Sequence, residues 1–181
     1  MAARRQGGAD AGDAMLSSLA LLLFPLLMAF AASSDLLTMR ISNRVVLLLV
    51  GGFFLVALAA RLPLESIGMH LLGAAIVLVF AFAFFAFGWI GGGDAKLAAA
   101  TTLWLGFAMT LPYLVYAALL GGALTLGILA IRRWPLPEAL GKVKWIDRLH
   151  DSKAGVPYGI ALAASGLMVY SDSVIFQRLV G

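Results

Sequence analysis

Apolar residues come in long unbroken blocks along this chain, separated by short polar links, rather than at the two- or 3.6-residue periods of a half-buried element. The blocks cover 15–34, 45–60, 71–90, 97–131 and 156–171. All of the charge lies in those links and in the two termini. A block of about 20 apolar residues at 1.5 Å per residue matches a hydrocarbon core of about 30 Å. The pattern therefore predicts helices solvated by lipid, since lipid offers no partners for an open backbone. Residues 97–131 contain no charged residue across 35 positions. As a single helix they would extend about 52 Å, well beyond the hydrocarbon layer. Pro112 lies near the middle of that run and removes a backbone donor, so the expected break falls there, into 97–111 and 112–131. The expected architecture is an all-α, polytopic membrane helix bundle of about six transmembrane helices. Residues 15–181 form its single membrane-embedded domain, and 1–14 (MAARRQGGADAGDA) a disordered polar tail.

The first block also has features of a signal peptide, because Arg4 and Arg5 precede it and "AFA" resembles a cleavage site. Asp10 and Asp13 offset that basic charge, and the block exceeds a usual signal core, so a first span is the favoured reading.

Composition sharpens the class. Of 181 residues 62% are hydrophobic and 12% charged, with mean hydropathy +1.00. A soluble domain carries about 25% charged residues. The absence of cysteine excludes a disulfide framework, a thiol nucleophile and cysteine-ligated zinc. His70 and His150 lie far apart and give no metal-ligand spacing, so no metal and no organic cofactor is expected. The net charge of +4 records orientation rather than nucleic acid, which is not an expected partner; the expected surroundings are the lipid bilayer. With six spans and an external N-terminus, Arg40, Arg44, Lys96, Arg132, Arg133, Lys142, Lys144, Arg148 and Lys153 face the cytoplasm. Arg4, Arg5, Arg61 and Arg178 lie outside, which satisfies the positive-inside tendency. A five-span arrangement scores the same, so helix length and Pro112 decide between the two counts.

Against this background two acids stand out. Asp35 closes the first block and Asp94 follows the third, so two crossings separate them and both lie at one membrane face under either count. Acids at membrane depth are costly and are functional candidates. Singly, each also fits a boundary residue or a helix cap. As a pair they can do more. Two adjacent carboxyls do not both ionise cheaply, so one holds a proton while the other is charged. The charged one can deprotonate water and the protonated one can polarise a peptide carbonyl. Gly91, Gly92 and Gly93 would form a substrate-approach loop beside Asp94, with no Cβ in the way and φ > 0 permitted. They also suit a tight turn or close helix packing.

The segment "PLPEALGKVKWIDRLH" (135–150) has Leu140, Val143, Ile146 and Leu149 at three-residue steps, with basic residues towards its end. It reads as a cytoplasmic amphipathic helix lying at the lipid interface, with Trp134 and Trp145 in the headgroup layer. Arg40 and Asn43 are candidates to position the first link, and Asn43 is equally a candidate N-cap of the second span.

Three short segments carry a resemblance. "GGGDAKL" (91–97) resembles the GxGD motif of type IV prepilin peptidases. "DLLTMRISN" (35–43) resembles that family's first-aspartate segment, with Ser42 where proline is usual. "VPYGIAL" (156–162) resembles its C-terminal Pro-(Tyr/Phe)-Gly segment. The resemblance implies a membrane aspartic endopeptidase that removes leader peptides from prepilins at the cytoplasmic face of the bacterial inner membrane. Asp35 and Asp94 match its two catalytic aspartates. The chain is similar to the short form found with Flp (tight-adherence) pili, which lacks the methyltransferase region and its cysteine pairs. Flp-like prepilins are then the expected partner. The alternatives are an ion- or proton-coupled carrier using the same two acids, a non-enzymatic scaffold, and a presenilin-type protease. The Tyr-Asp and Pro-Ala-Leu signatures of the last are absent.

Overall fold

The computed structural model describes the backbone of residues 3–180 and the side chains from residue 17 onward. The tail expected over 1–14 therefore lies outside the part described in side-chain detail. The described residues form nine helices and no strand: α1 (Ala3–Thr38), α2 (Asn43–Ala59), α3 (Leu64–Ala86), α4 (Gly92–Leu105), α5 (Phe107–Ile131), α6 (Glu138–Gly141), α7 (Lys144–His150), α8 (Gly159–Tyr170) and α9 (Val174–Val180). The chain is all-helical, as the block pattern requires.

Three stretches are long and apolar enough to cross a membrane: Ser17–Thr38, Leu64–Ala86 and Phe107–Ile131. The bent pair α8 and α9, which turns by 49°, makes a fourth if it counts as one crossing. Six such helices are not present among the described residues, because α2 has 17 residues and α4 only 14.

The bundle is built around α4. From Leu97 to Leu105 every residue is buried, and α4 packs against α3, α8, α2 and α5. A helix that is apolar on all sides belongs inside. Its Ala98, Ala99 and Ala100 let neighbouring backbones approach closely. Trp104 closes the packing: it is fully buried between Phe24 and Phe53, and its indole N–H donates to the Leu49 carbonyl at 2.8 Å. By contrast α3 turns Val79, Phe80 and Phe82 outward, each more than 60% exposed. Such a face needs an apolar solvent, and lipid supplies it.

The long charge-free run breaks at Gly106, not at Pro112. Gly106 has φ 81° and ψ 170°, a conformation open essentially to glycine alone. The His70 ring lies against it, with Cε1 3.0 Å from where a Cβ would stand. Pro112 instead sits inside α5, in its second turn, where the helix continues through it. The turn at Gly106 sends α5 back beside α4, so that Ala117 and Ala118 reach the level of Asp94.

The amphipathic segment is likewise divided, into α6 and α7 with a break near Lys142. Ile146 and Leu149 turn towards Ile128 and Ile131 of α5, and Leu140 and Val143 remain exposed. Arg148 donates to the Leu37 carbonyl at 2.8 Å, meeting one of the free carbonyls at the end of α1. Arg132 gathers the carbonyls of Leu149, Ala154 and Gly155. The two arginines thus fold the 132–155 link back onto the bundle.

Candidate active site

Asp35 and Asp94 lie at one end of the bundle, on segments that Ile41 and Gly159 hold together there. Asp35 lies in the last turn of α1, which ends where Met39 adopts φ 54° and its N–H bonds back to the Asp35 carbonyl at 2.7 Å. Asp94 is the third residue of α4. Gly159 opens α8 beside them.

The two acids are held differently. Asp35 is only 5% exposed, and its Oδ2 accepts the backbone N–H of Gly159 at 2.7 Å. A Cβ at Gly159 would lie 2.8 Å from that oxygen and 2.9 Å from Ile41 Cδ1, so no larger residue fits without displacing the acid. Asp94 is half-buried. Its carboxyl turns back on the N-cap Gly91, whose backbone N–H it engages. That is the N3-to-N-cap half of a capping box, and it suits an acid in a helix first turn. The Asp94 carboxyl is within electrostatic reach of Asp35 and of the Tyr158 hydroxyl. Beyond it opens a cavity of about 490 Å³ between α3, α4, α5 and α8, lined among others by Phe80, Phe84, Leu114, Ala117 and Tyr158. Asp35 is absent from that lining, and its walls are apolar apart from Asp94, Thr110 and Tyr158. Among the described residues no third acid, histidine or cysteine joins the pair in a cluster able to hold a metal ion.

The glycines beside Asp94 are small for steric reasons rather than for positive φ. Gly91 has φ −72° and caps α4, while Gly92 and Gly93 form its first turn. A Cβ at Gly92 would press on Phe85 at 3.2 Å, and one at Gly93 on Ile41 Cβ at 3.2 Å. The positive-φ glycines among the described residues are Gly88 and Gly106. Asn43 is not the cap of α2. Ser42 is, its hydroxyl accepting the Arg44 N–H at 3.2 Å. Asn43 instead receives Lys96 Nζ at 3.1 Å, which ties α4 to α2 beside the acids.

Residue-type reasoning singled out both acids but neither Gly159 nor Ile41. Ile41 is wedged between Gly93 and Gly159 and so spaces α4 from α8. "VPYG" was the only signal for Gly159, and it carried no role.

The fold and this convergence define a multi-pass α-helical membrane protein with two carboxyl groups brought together at one end of its bundle. The chain belongs to the type IV leader peptidase family, whose model matches residues 22–126, more than half of the sequence. The match includes both acids and stops short of Gly159. No curated protein and no solved structure matched the chain. Family membership makes it a membrane protease with prepilin-type substrates.

Proposed function

We propose that the protein is an aspartic endopeptidase in which Asp35 and Asp94 act as one unit, cleaving leader peptides from Flp-like prepilins at the cytoplasmic membrane face. The observation that carries this reading is the unequal pair: a buried Asp35 fixed by a backbone N–H, within electrostatic reach of an Asp94 that opens onto a cavity. Two carboxyls so placed share a proton, and only one is charged at a time. The charged carboxylate takes a proton from water as the water oxygen attacks the scissile carbonyl. The protonated partner donates to the carbonyl oxygen. Collapse of the tetrahedral intermediate breaks the C–N bond: the leaving amine takes the proton that the first carboxyl gained from water, and the second carboxylate recovers its proton from a hydroxyl of the intermediate. The largely apolar walls of the cavity strengthen these interactions by lowering the local dielectric.

The cytoplasmic orientation is supported by the basic residues of the links at this end, Arg40, Lys96, Arg132, Arg148 and Lys153. We also propose six crossings, with α2, α4 and the bent α8–α9 pair as the shorter ones. A buried α4 of about 21 Å is shorter than a hydrocarbon core of about 30 Å, so as a crossing it begins below the membrane surface and carries Asp94 there.

The test is incubation of detergent-solubilised protein with a Flp-type prepilin, comparing wild type with Asp94→Ala. Cleavage at the leader junction by the wild type alone is the expected result. Equal cleavage by both proteins would remove Asp94 from the reaction.

A further inference from the structure

We propose that Tyr158, seated over Gly121, is a positioning residue that sets the Asp35 carboxyl through the backbone N–H of the next residue, Gly159. The inference rests on the reading of Asp35 and Asp94 as the reacting pair. Tyr158 is the N-cap of α8, and its hydroxyl donates to the Ala117 carbonyl of α5 at 3.0 Å. The ring lies across Gly121, one turn further along α5, where a Cβ would overlap it. The neighbouring Gly122 has nothing within 4 Å of its Cβ position. Of two adjacent glycines in one helix, then, only the first is required by packing, and what it accommodates is this ring. Glycine is a poorer helix former than alanine, so helix stability does not explain it.

The ring and hydroxyl fix the N-terminus of α8 against α5. One peptide unit later the Gly159 N–H reaches Asp35 Oδ2 at 2.7 Å. There is little slack in this connection. Pro157 limits the backbone on one side, and Ile41 and Asp35 fill the space over Gly159 on the other. Moving the Tyr158 ring off Gly121 therefore carries the Gly159 N–H away from Asp35. A hydrogen bond lost over a displacement of about 1 Å is enough to disorder a reacting pair. Neither Tyr158 nor Gly121 needs to touch the scissile bond for this. The α5–α8 contact transmits its geometry to α1, the helix that carries Asp35.

The experiment is steady-state cleavage of a Flp-type prepilin by membrane-inserted variants, normalised to the amount of inserted protein. Gly121→Ala is expected to lower kcat by about tenfold or more with KM nearly unchanged, as for an interaction that matters in the transition state. Gly122→Ala is expected to match the wild type. Tyr158→Phe keeps the ring and loses the hydroxyl, so a smaller loss is expected. Gly121→Ala combined with Tyr158→Ala is expected to be no worse than Tyr158→Ala alone, because no ring remains to be displaced. A general packing defect would instead multiply the two losses. Wild-type kcat in Gly121→Ala, multiplied losses in the double variant, or a loss confined to KM would each overturn the proposal. Asp35→Asn and Asp94→Asn are measured alongside. If they retain cleavage, the reading of the acids fails; if they are inactive beside a fully active Gly121→Ala, only the positioning role fails.

Discussion

The backbone N–H of Gly159 donates to Oδ2 of Asp35 at 2.7 Å, across 124 residues of sequence. This bond joins the start of α8 to the end of α1 and fixes the more deeply buried of the two acids. It also brings the "VPYG" segment, outside the stretch matched by the family model, into the site.

Gly159→Ala tests that relationship directly. The added Cβ would stand 2.8 Å from Asp35 Oδ2 and 2.9 Å from Ile41 Cδ1, so the acid or the helix end must shift. Overpacking of this kind costs about 1–3 kcal/mol. A misplaced reacting group costs far more in rate than in stability, and a fall in cleavage of about 100-fold is expected. Thermal denaturation in detergent together with initial rates separates the two effects. An unchanged rate would mean that the bond is incidental to cleavage.

The break at Gly106 makes a second prediction, about stability. With φ 81° and His70 against its Cα, Gly106→Ala meets both backbone strain and crowding, and a loss of about 1–3 kcal/mol or more is expected. Pro112→Ala lies inside α5 and gains a helix donor, so neutrality or a gain is expected. Melting temperatures of the two variants decide between the two positions. A destabilised Pro112→Ala beside a neutral Gly106→Ala would return the break to the proline.

Much of this arrangement is legible in the sequence, and what is not has a physical reason. The block 71–90 marks the span Leu64–Ala86, because lipid imposes that length on any crossing helix, but the helix begins seven residues earlier, and the run 97–131 yields Phe107–Ile131 only once its break moves from Pro112 to Gly106. Asp35 and Asp94 are conspicuous because acids are costly beside such runs. Proline is the stronger local signal for a break, whereas the crowding that excludes a side chain at Gly106 comes from His70, 36 positions away. The roles of Gly159, Ile41 and Tyr158 are tertiary: each depends on what another helix brings against it. The basic residues of 135–150 pointed to lipid, but the Arg148 guanidinium bonds the last turn of α1. Charge on a link does not say whether the partner is a headgroup or a carbonyl.

Topology gives a third prediction. The end of α1, which leads into the link 39–42, meets the 132–155 link at one end of the bundle through Leu37 and Arg148. Reporter fusions placed after Arg40 and after Lys153 are expected to give the same, cytoplasmic, response. A fusion after Arg61 is expected to give the opposite one. Opposite responses at Arg40 and Lys153 would contradict the six-crossing arrangement. A shared external response would move the acids away from the cytoplasmic face.

The last prediction concerns the pair of acids as a unit. If one carboxylate activates water while the other holds a proton, removing either destroys the arrangement, and the losses are strongly non-additive. Asp35→Asn and Asp94→Asn are each expected to abolish cleavage nearly as completely as the double variant. Asparagine keeps the shape but cannot ionise, so insertion and abundance should survive. Asp35→Asn also keeps an oxygen able to accept the Gly159 N–H, provided the amide is oriented for it. Asp172→Asn and Glu65→Gln serve as controls, since both lie outside the cluster and are expected to cleave normally. The wild-type pH profile is expected to be bell-shaped, with both limbs belonging to the coupled pair rather than to either residue. Chelators are expected to leave the rate unchanged. Substantial cleavage by either asparagine variant, or additive losses in the double variant, would rule out a mechanism that needs both carboxyls at once.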